Sequence, residues 1–563
     1  MKKGSAAFLV VLLSASLPLS AASELPRLVV QITVDQLRGD LPLRYRDRFP
    51  EGGFRYFLDH GTWYAAANHP HSHTETVVGH STLATGAYPS RHGMISNKWF
   101  DRITNQFVNN VEGPQYPLLS VLGENQSGPG ASPNMILTTT FSDELAITTA
   151  GRSKIYSVSV KDRGAIPLGG HAGKSFWLSL TNGCFVSSTF YYSEYPKWVK
   201  AKCEQHLADK MASTTWNLLR DRATYLNKKV TNQYPDDSVA EANMEMLDSP
   251  QLGFNRTFPH KFAASGGTLY NGLTISPRGD ELTLDFAKTL IKEEHLGKDS
   301  VPDYLAVSFS STDLIAHWFS PASLESEDNI YRLDAELRDL LSYIDKEVGL
   351  EHTLIVLSAD HGGIEYPEYL QTLQINTGWI QNSDILDAAQ SALDARYPNI
   401  EGLISQLAVP YIYLDHNVIE QNHLNVTDVA RVAAGGVQKL NGIAQAIVQD
   451  DMATSGTVDD EQMQRVRRNY NATRSGDIYI VQEPQWQIES GEEGNSLVQH
   501  GTPWAYDTYV PVAFAGGHIP KAFVLRGIST TDVAATLSVF LRTKYPSGNV
   551  GEPLTELTAK PSH

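Results

Sequence analysis

The sequence predicts an α/β fold in which a mostly parallel central sheet is flanked by helices and capped by inserted segments. Two observations predict it. Short apolar, β-branched runs stop abruptly at polar or acidic residues: Leu28 to Val34 ends at Asp35, Tyr304 to Phe309 ends just before Asp313, and Thr353 to Ser358 ends before Asp360 and His361. Such runs read as strands buried on both faces, and helical stretches such as Asn329 to Val348 separate them. In open sheets of this class the site lies beyond the carboxyl ends of the strands. Three strands therefore deliver acidic residues to one rim.

Lys2-Lys3, an apolar run from Ala6 to Leu13 and small residues ending Ser20-Ala21-Ala22 follow one another at the start. That order predicts a secretory signal over residues 1–22, a periplasmic or secreted product, and no membrane insertion after cleavage. The apolar run is short for a membrane span. Residues 23–563 read as a single catalytic domain. Two stretches read as insertions over the site. One, near 170–275, is rich in Tyr, Trp, Asn and Ser; the other, near 365–495, holds a helical segment from Val429 to Val448 and a charged run from Asp459 to Arg468. Cys184 and Cys203 fall in the first and are the only cysteines. In an exported chain an even count predicts a disulfide, worth roughly 3 kcal/mol by loop entropy; two buried thiols are the alternative. Without a CxxC pair, nothing supports a zinc–thiolate site.

Lys and Arg number 45 against 63 Asp and Glu, a net charge of −18. This acidic balance argues against nucleic acid as a partner, since such binding rests on Lys and Arg neutralising phosphates. It argues equally against a polybasic membrane contact. A small phosphate substrate stays open, because bound metal ions can reverse the local field.

Asp313-Leu-Ile-Ala-His317 sets a carboxylate and an imidazole at i and i+4, which face the same way on a helical turn. Taken alone, that spacing is common on helix surfaces. Asp360-His361-Gly362-Gly363 follows an apolar strand, Asp35 comes from a third strand end, and His500 lies between Val498-Gln499 and Gly501-Thr502. Three aspartates with three histidines suit Zn²⁺ better than the all-oxygen sites of Ca²⁺ or Mg²⁺. A pair of such ions can hold both the attacking and leaving oxygens of an in-line displacement.

The densest segment runs His73-Thr-Glu-Thr76-Val-Val-Gly79-His80, then Thr85-Gly86, Pro89, His92-Gly93 and Asn97. It resembles the nucleophile region of the alkaline phosphatase superfamily, which includes the nucleotide pyrophosphatase/phosphodiesterases. The later Asp-x3-His, Asp-His-Gly and His-Gly-Thr-Pro motifs occur in that family's order, and the resemblance spans residues 27 to about 517. It implies an alkaline-phosphatase-like core and two zinc ions per chain. Asp313, His317 and His500 match the ligands on the leaving-group side; Asp35, Asp360 and His361 match those beside the nucleophile. Thr76 matches the nucleophile and Asn97 a residue that binds a phosphoryl oxygen. Thr74 has the wrong spacing to Gly79-His80, and His80 reads as structural rather than as a base.

Lys161-Asp-Arg163 resembles the Lys-x-Arg signature of the monomeric, phosphate-irrepressible periplasmic alkaline phosphatases. A monoester dianion carries more charge on its transferred group than a diester, and Lys161 and Arg163 would meet it with charge-assisted hydrogen bonds. They would also supply positive charge in place of a Mg²⁺ ion. The resemblance thus implies hydrolysis of small phosphate monoesters through a phospho-threonine, releasing phosphate. A phosphodiesterase or nucleotide pyrophosphatase on the same framework is the alternative. A sulfatase is disfavoured, because Ala87 stands where Tyr88-Pro-Ser-Arg91 would call for a cysteine. A phosphate- or metal-binding protein with a dead site is the non-enzymatic rival.

Overall fold

The computed structural model describes residues 25–124, 128–228, 254, 255, 257–262, 267–453, 460–489, 498–517 and 519–558. The signal stretch, residues 1–22, lies outside the described residues. A nine-stranded sheet runs in the order Ala522–Ser529, Thr62–Asn68, Tyr509–Ala515, Thr353–Ser358, Leu28–Val34, Asp303–Phe309, Ile155–Ser159, Lys174–Leu178 and Phe185–Val186. The five strands from Thr353–Ser358 to Lys174–Leu178 are mutually parallel, and Tyr509–Ala515 and Phe185–Val186 run against them.

Period-2 geometry explains why the central runs are apolar throughout. Every residue of Leu28–Val34 is buried. Leu28, Val30, Ile32 and Val34 enter one core with Leu290, Leu337, Leu340 and Ile344, from helices Pro277–Glu293 and Leu324–Glu347. Val29 points to the opposite core, with Phe141, Val533 and Leu537 from helices Phe141–Thr148 and Asp532–Leu541. With helices on both faces, a polar side chain at either register position is buried. Gln31 illustrates this: it is buried, and its Oε1 accepts a 2.8 Å hydrogen bond from the Tyr304 hydroxyl.

The two stretches read as insertions differ in kind. Lys174–Leu178 and Phe185–Val186, inside the first, complete one edge of the main sheet. Between them, immediately before Phe185, Cys184 is joined to Cys203 in a disulfide. The second forms a module with its own core, enclosing a four-stranded antiparallel sheet (Ile404–Ala408, Tyr411–Leu414, Ile478–Gln482, Ile443–Val448) and helices Asn382–Arg396 and Val426–Val437. The expected helix from Val429 to Val448 is therefore a helix that stops at Val437 and a strand that starts at Ile443. Gly442, with φ of 87°, turns the chain between them. The charged run does form a helix, Glu461–Asn469. Arg465 and Arg468 from that helix and Arg474 beyond it donate to the carbonyls of His69, Pro70 and Gly93, at 2.6, 3.0 and 2.6 Å. The cap is thereby moored to the segment containing Thr76.

Candidate active site

Four adjacent parallel strands set the site. Asp35 directly follows Leu28–Val34, and its N–H still donates to Phe309 O at 2.8 Å. Asp360 lies two residues beyond Ser358, and Lys161 two beyond Ser159. Asp313 and His317 sit on helix Ser311–Phe319, just past Phe309, so their i,i+4 spacing does place both on one face: His317 Nε2 is 3.2 Å from Asp313 Oδ1. His500 arrives from beyond the cap, its Nε2 3.6 Å from the same oxygen.

Each histidine is locked by its other nitrogen. His317 Nδ1 meets Val498 O at 2.6 Å, His361 Nδ1 meets Gly362 O at 2.8 Å, and His500 Nδ1 meets Thr74 O at 2.8 Å. A carbonyl can only accept, so each Nδ1 carries the hydrogen, and in the neutral ring each Nε2 presents a lone pair. Those lone pairs face carboxylates: His361 Nε2 lies 3.4 Å from Asp35 Oδ1 and 3.6 Å from Asp360 Oδ2. Lone pair against carboxylate is repulsive unless a proton or a metal ion stands between them. Against the effect of burial, the carboxylates of Asp360 and Asp35 push the His361 pKa up. Asp35 Oδ1, Asp313 Oδ1, Asp360 Oδ2 and His361 Nε2 are all buried without a hydrogen bond among the described residues. Burial and the charges of Asp313 and Asp360 push the Asp35 carboxyl up to about 7. Lys161, 2.7 Å from Asp35 and 2.5 Å from Asp313, is the cation between them, and it offsets only part of that charge. Burial drives His500 well below its usual pKa, with the charge of His361 adding to it, which favours the neutral imidazole that ligates metals.

The donor set therefore fits metal ions. Asp313, His317 and His500 each bring one ligand atom within 4.8 Å of the others, and so do Asp35, Asp313 and His361. Asp313 belongs to both groups. Asp360 stands beside the second: its Oδ1 accepts from the N–H groups of Gln36 and His361, at 3.1 and 2.9 Å, leaving Oδ2 toward His361 and His80. Nitrogen ligands mixed with carboxylates favour zinc-like ions over calcium.

Thr76 begins helix Thr76–Thr85 and is almost wholly buried. Gly79 explains how it gets there. A Cβ at that position would lie 1.9 Å from Asp360 O, so only glycine lets the first turn rest on the strand end carrying Asp360. His80 is wedged in the same contact, with Nδ1 2.8 Å from Thr76 O and Nε2 2.9 Å from Ser308 Oγ. Both ring nitrogens are engaged, in keeping with a structural residue. Thr76, Asn97, Arg163, Asp313, His317 and His500 line a single cavity of about 190 Å³. Lys161 is not on its wall, being held beneath by Asp35 and Asp313.

Glu75 went unread in the sequence. Its carboxylate accepts from the Asn97 N–H and from Ser96 Oγ, and it lies 3.1 Å from His73 Nε2. Burial opposes its charge, but His73 and the Asn97 N–H hold it at about 2. Asn97 Oδ1 in turn accepts from the N–H of Val77 at 3.1 Å, which leaves the amide NH₂ for the cavity. A glutamate before a helix reads as an ordinary first-turn acid, so its sequence carries little signal.

Known proteins resemble this chain along nearly its whole length. A crystal structure of wild-type alkaline phosphatase PafA superposes with a TM-score of 0.83 at 29% identity, over 95% of this chain and 99% of that one. Alkaline phosphatase PhoV of Synechococcus elongatus is 32% identical across 94% of this chain and 93% of its own. A protein of Myroides odoratus named as a calcium-transporting ATPase is 33% identical, with 95% of both chains covered. The family model for type I phosphodiesterase / nucleotide pyrophosphatase matches residues 29–505, which take in Asp35, Thr76 and every histidine of the cation clusters. The chain belongs to the type I phosphodiesterase / nucleotide pyrophosphatase family.

Proposed function

We infer that this protein is an alkaline phosphatase, an enzyme that hydrolyses small phosphate monoesters, with Thr76 as nucleophile. The observation that carries the site assignment is that Thr76 opens onto the same cavity as Asn97, Arg163, Asp313, His317 and His500. Asp313, His317 and His500 would hold one zinc ion, and Asp35, Asp360 and His361, with Asp313 beside them, a second. Bound zinc supplies Lewis-acid charge that favours ionised oxygen atoms near neutral pH.

The chain's own groups do the rest. Thr76 Oγ1 attacks phosphorus in line, its hydroxyl at the positive end of a ten-residue helix that also favours the phosphoryl anion. Asn97, oriented by Glu75 and Val77, donates its NH₂ to a non-bridging oxygen. Arg163 donates to others, while Lys161 contributes charge from beneath. Such fixed donors supply the electrostatic stabilisation that dominates phosphoryl transfer. The P–O bond to the leaving group breaks as that to Thr76 forms, and water then releases phosphate. Export to the periplasm or beyond is part of the same reading; among the described residues no helix is long and apolar enough to cross a membrane.

The test measures zinc per chain and compares an aryl phosphate monoester with its methyl diester, in wild type and Thr76→Ala. Two zinc ions, preference for the monoester and loss of turnover in the variant are expected. Diester preference would leave the fold standing and transfer the chain to the phosphodiesterase branch.

A further inference from the structure

The helix that carries Asp313 and His317 does not cap itself. Among the described residues, the side chain of Ser310, which precedes helix Ser311–Phe319, gives the helix no cap bond. Its hydroxyl turns instead to Ser159 Oγ, 3.2 Å away, which also accepts from the Lys161 N–H at 3.1 Å. The first N–H groups of a helix have no acceptor within it, and Ser310 and Ser311 are both wholly buried, out of reach of water. The missing acceptor comes from 31 residues earlier in the chain: Asp280 Oδ1 takes the Ser311 N–H at 3.0 Å.

In the sequence Asp280 reads as a first-turn acid of its own helix, Pro277–Glu293. That helix already has a cap, because Ser276 Oγ accepts from the Arg278 N–H at 3.3 Å. Asp280 is committed to the neighbouring helix instead, and twice over. Its carboxylate takes the Ser311 N–H, while its own N–H donates to Ser311 Oγ at 3.1 Å. Gly279 permits the approach, since a Cβ there would stand 2.7 Å from Ser311 Oγ. Placing an acid here is costly. Asp280 is wholly buried, and burial pushes its carboxyl up to about 7 although the N–H groups of Ser311 and Ser310 hold it down.

We propose that Asp280 is a positioning residue for the cation cluster: by capping Ser311–Phe319 from the neighbouring helix, it fixes the two ligands that this helix supplies, Asp313 and His317. Its effect on metal stands on geometry alone; its effect on turnover rests on the phosphatase reading above. Asp313 lies two residues past Ser311, so a shift of the helix start reaches it almost undiminished. The cluster of Asp313, His317 and His500 draws two of its three ligands from this helix, whereas that of Asp35, Asp313 and His361 draws one. Loss of the cap should therefore fall unequally on the two. A second tether, from Asn329 Nδ2 to Thr312 Oγ1 at 3.1 Å, keeps the helix docked when the cap is gone.

The experiment titrates zinc against a competing chelator in wild type, Asp280→Ala and Asp280→Asn. Asparagine keeps an acceptor for the Ser311 N–H and alanine does not. In Asp280→Ala one zinc equivalent should weaken about 10- to 100-fold and the other less, while Asp280→Asn stays near wild type. Lower stability alone leaves nearly every molecule folded and does not change the affinity of the folded form. Wild-type zinc affinity in Asp280→Ala would therefore overturn the proposal, and so would an Asp280→Asn protein as weak as the alanine variant. Should Asp280→Ala yield no folded protein, Asp280→Ser, whose hydroxyl falls one bond short of the Ser311 N–H, is read in its place by the same two outcomes. At saturating zinc, kcat/KM of the alanine variant should fall further for methyl phosphate than for 4-nitrophenyl phosphate, because the poorer leaving group depends more on the cluster of Asp313, His317 and His500. Equal losses on both esters would mark a general structural effect and count against the assignment. Zinc titration needs no turnover, so a wild-type protein inactive on both esters would refute the phosphatase reading while leaving the role of Asp280 to be decided by affinity.

Discussion

Replacing Gly79 with alanine sets helix propensity against packing. Gly79 lies in the first turn of Thr76–Thr85, and inside a helix alanine is favoured over glycine by about 1 kcal/mol. The added methyl would stand 1.9 Å from the Asp360 carbonyl oxygen, about 1.5 Å inside the 3.4 Å at which ordinary contact begins. The obstacle is backbone at the end of a buried strand, so it cannot rotate aside as a side chain would. Overpacking of this kind costs about 1–3 kcal/mol, more than the propensity gain. Relief requires the helix to withdraw, carrying Thr76 with it. A displacement of about 1 Å at a reacting group costs roughly 100-fold in rate. Gly79→Ala should therefore lower Tm and reduce kcat on an aryl phosphate by about two orders of magnitude. Calorimetry and steady-state kinetics on the same preparation check this, with zinc content measured alongside. A variant with a raised Tm and wild-type kcat would show that propensity governs and that the helix does not rest on Asp360.

Removing divalent metal with a chelator should lower Tm and adding zinc should restore it, because a ligand bound only by the native state stabilises that state; a melting temperature indifferent to both would contradict the buried carboxylate clusters. The His171–Asp143 pair, 2.7 Å apart, gives a pH-dependent prediction. Hydrogen bonding to Asp143 raises the His171 pKa, so its contribution is full below the unfolded value of about 6.5 and is lost as pH rises through the folded one. Burial works against the Asp143 charge, but His171 and backbone N–H groups hold it below its usual value, so that part persists until strong acid. The Tm deficit of His171→Ala should thus be larger at pH 6 than at pH 9, and a deficit independent of pH would remove the ion pair from consideration. Cys184→Ser should cost about 3 kcal/mol by loop-closure entropy, read from denaturant unfolding under oxidising conditions. No loss there would mean that the 184–203 loop is already ordered without its crosslink.

What could be read from sequence follows the distance over which each signal acts. Asp35, Asp313, Asp360 and His361 announce themselves because a buried parallel strand is apolar along its whole length, so the first charged residue marks its end. His317 is legible from helical spacing to Asp313. Gly79-His80 was visible as a pattern, but its cause, contact with Asp360 O, joins segments far apart in the chain and appears only in three dimensions. Lys161 was expected on the phosphoryl group; its place between Asp35 and Asp313 depends on strand order, which no local pattern records. The segment 429–448 was misread because Ala, Ile and Val suit both a helix and a strand. Asn441-Gly442 was the overlooked turn signal.

The three carbonyls that lock the histidines belong to Thr74, Gly362 and Val498, residues drawn from the early, middle and late parts of the chain. Imidazoles 317 and 361 could be presented by a partly formed sheet, but 317 is oriented only once residue 498 has docked, and 500 only once it meets residue 74. A complete set of nitrogen donors thus exists only in a chain whose ends have already found each other. Cation affinity in such a protein is a readout of long-range order. A truncated or half-folded chain would hold metal weakly even with every ligand present, whereas one that has closed gains the cation as a clasp on its most distant contacts.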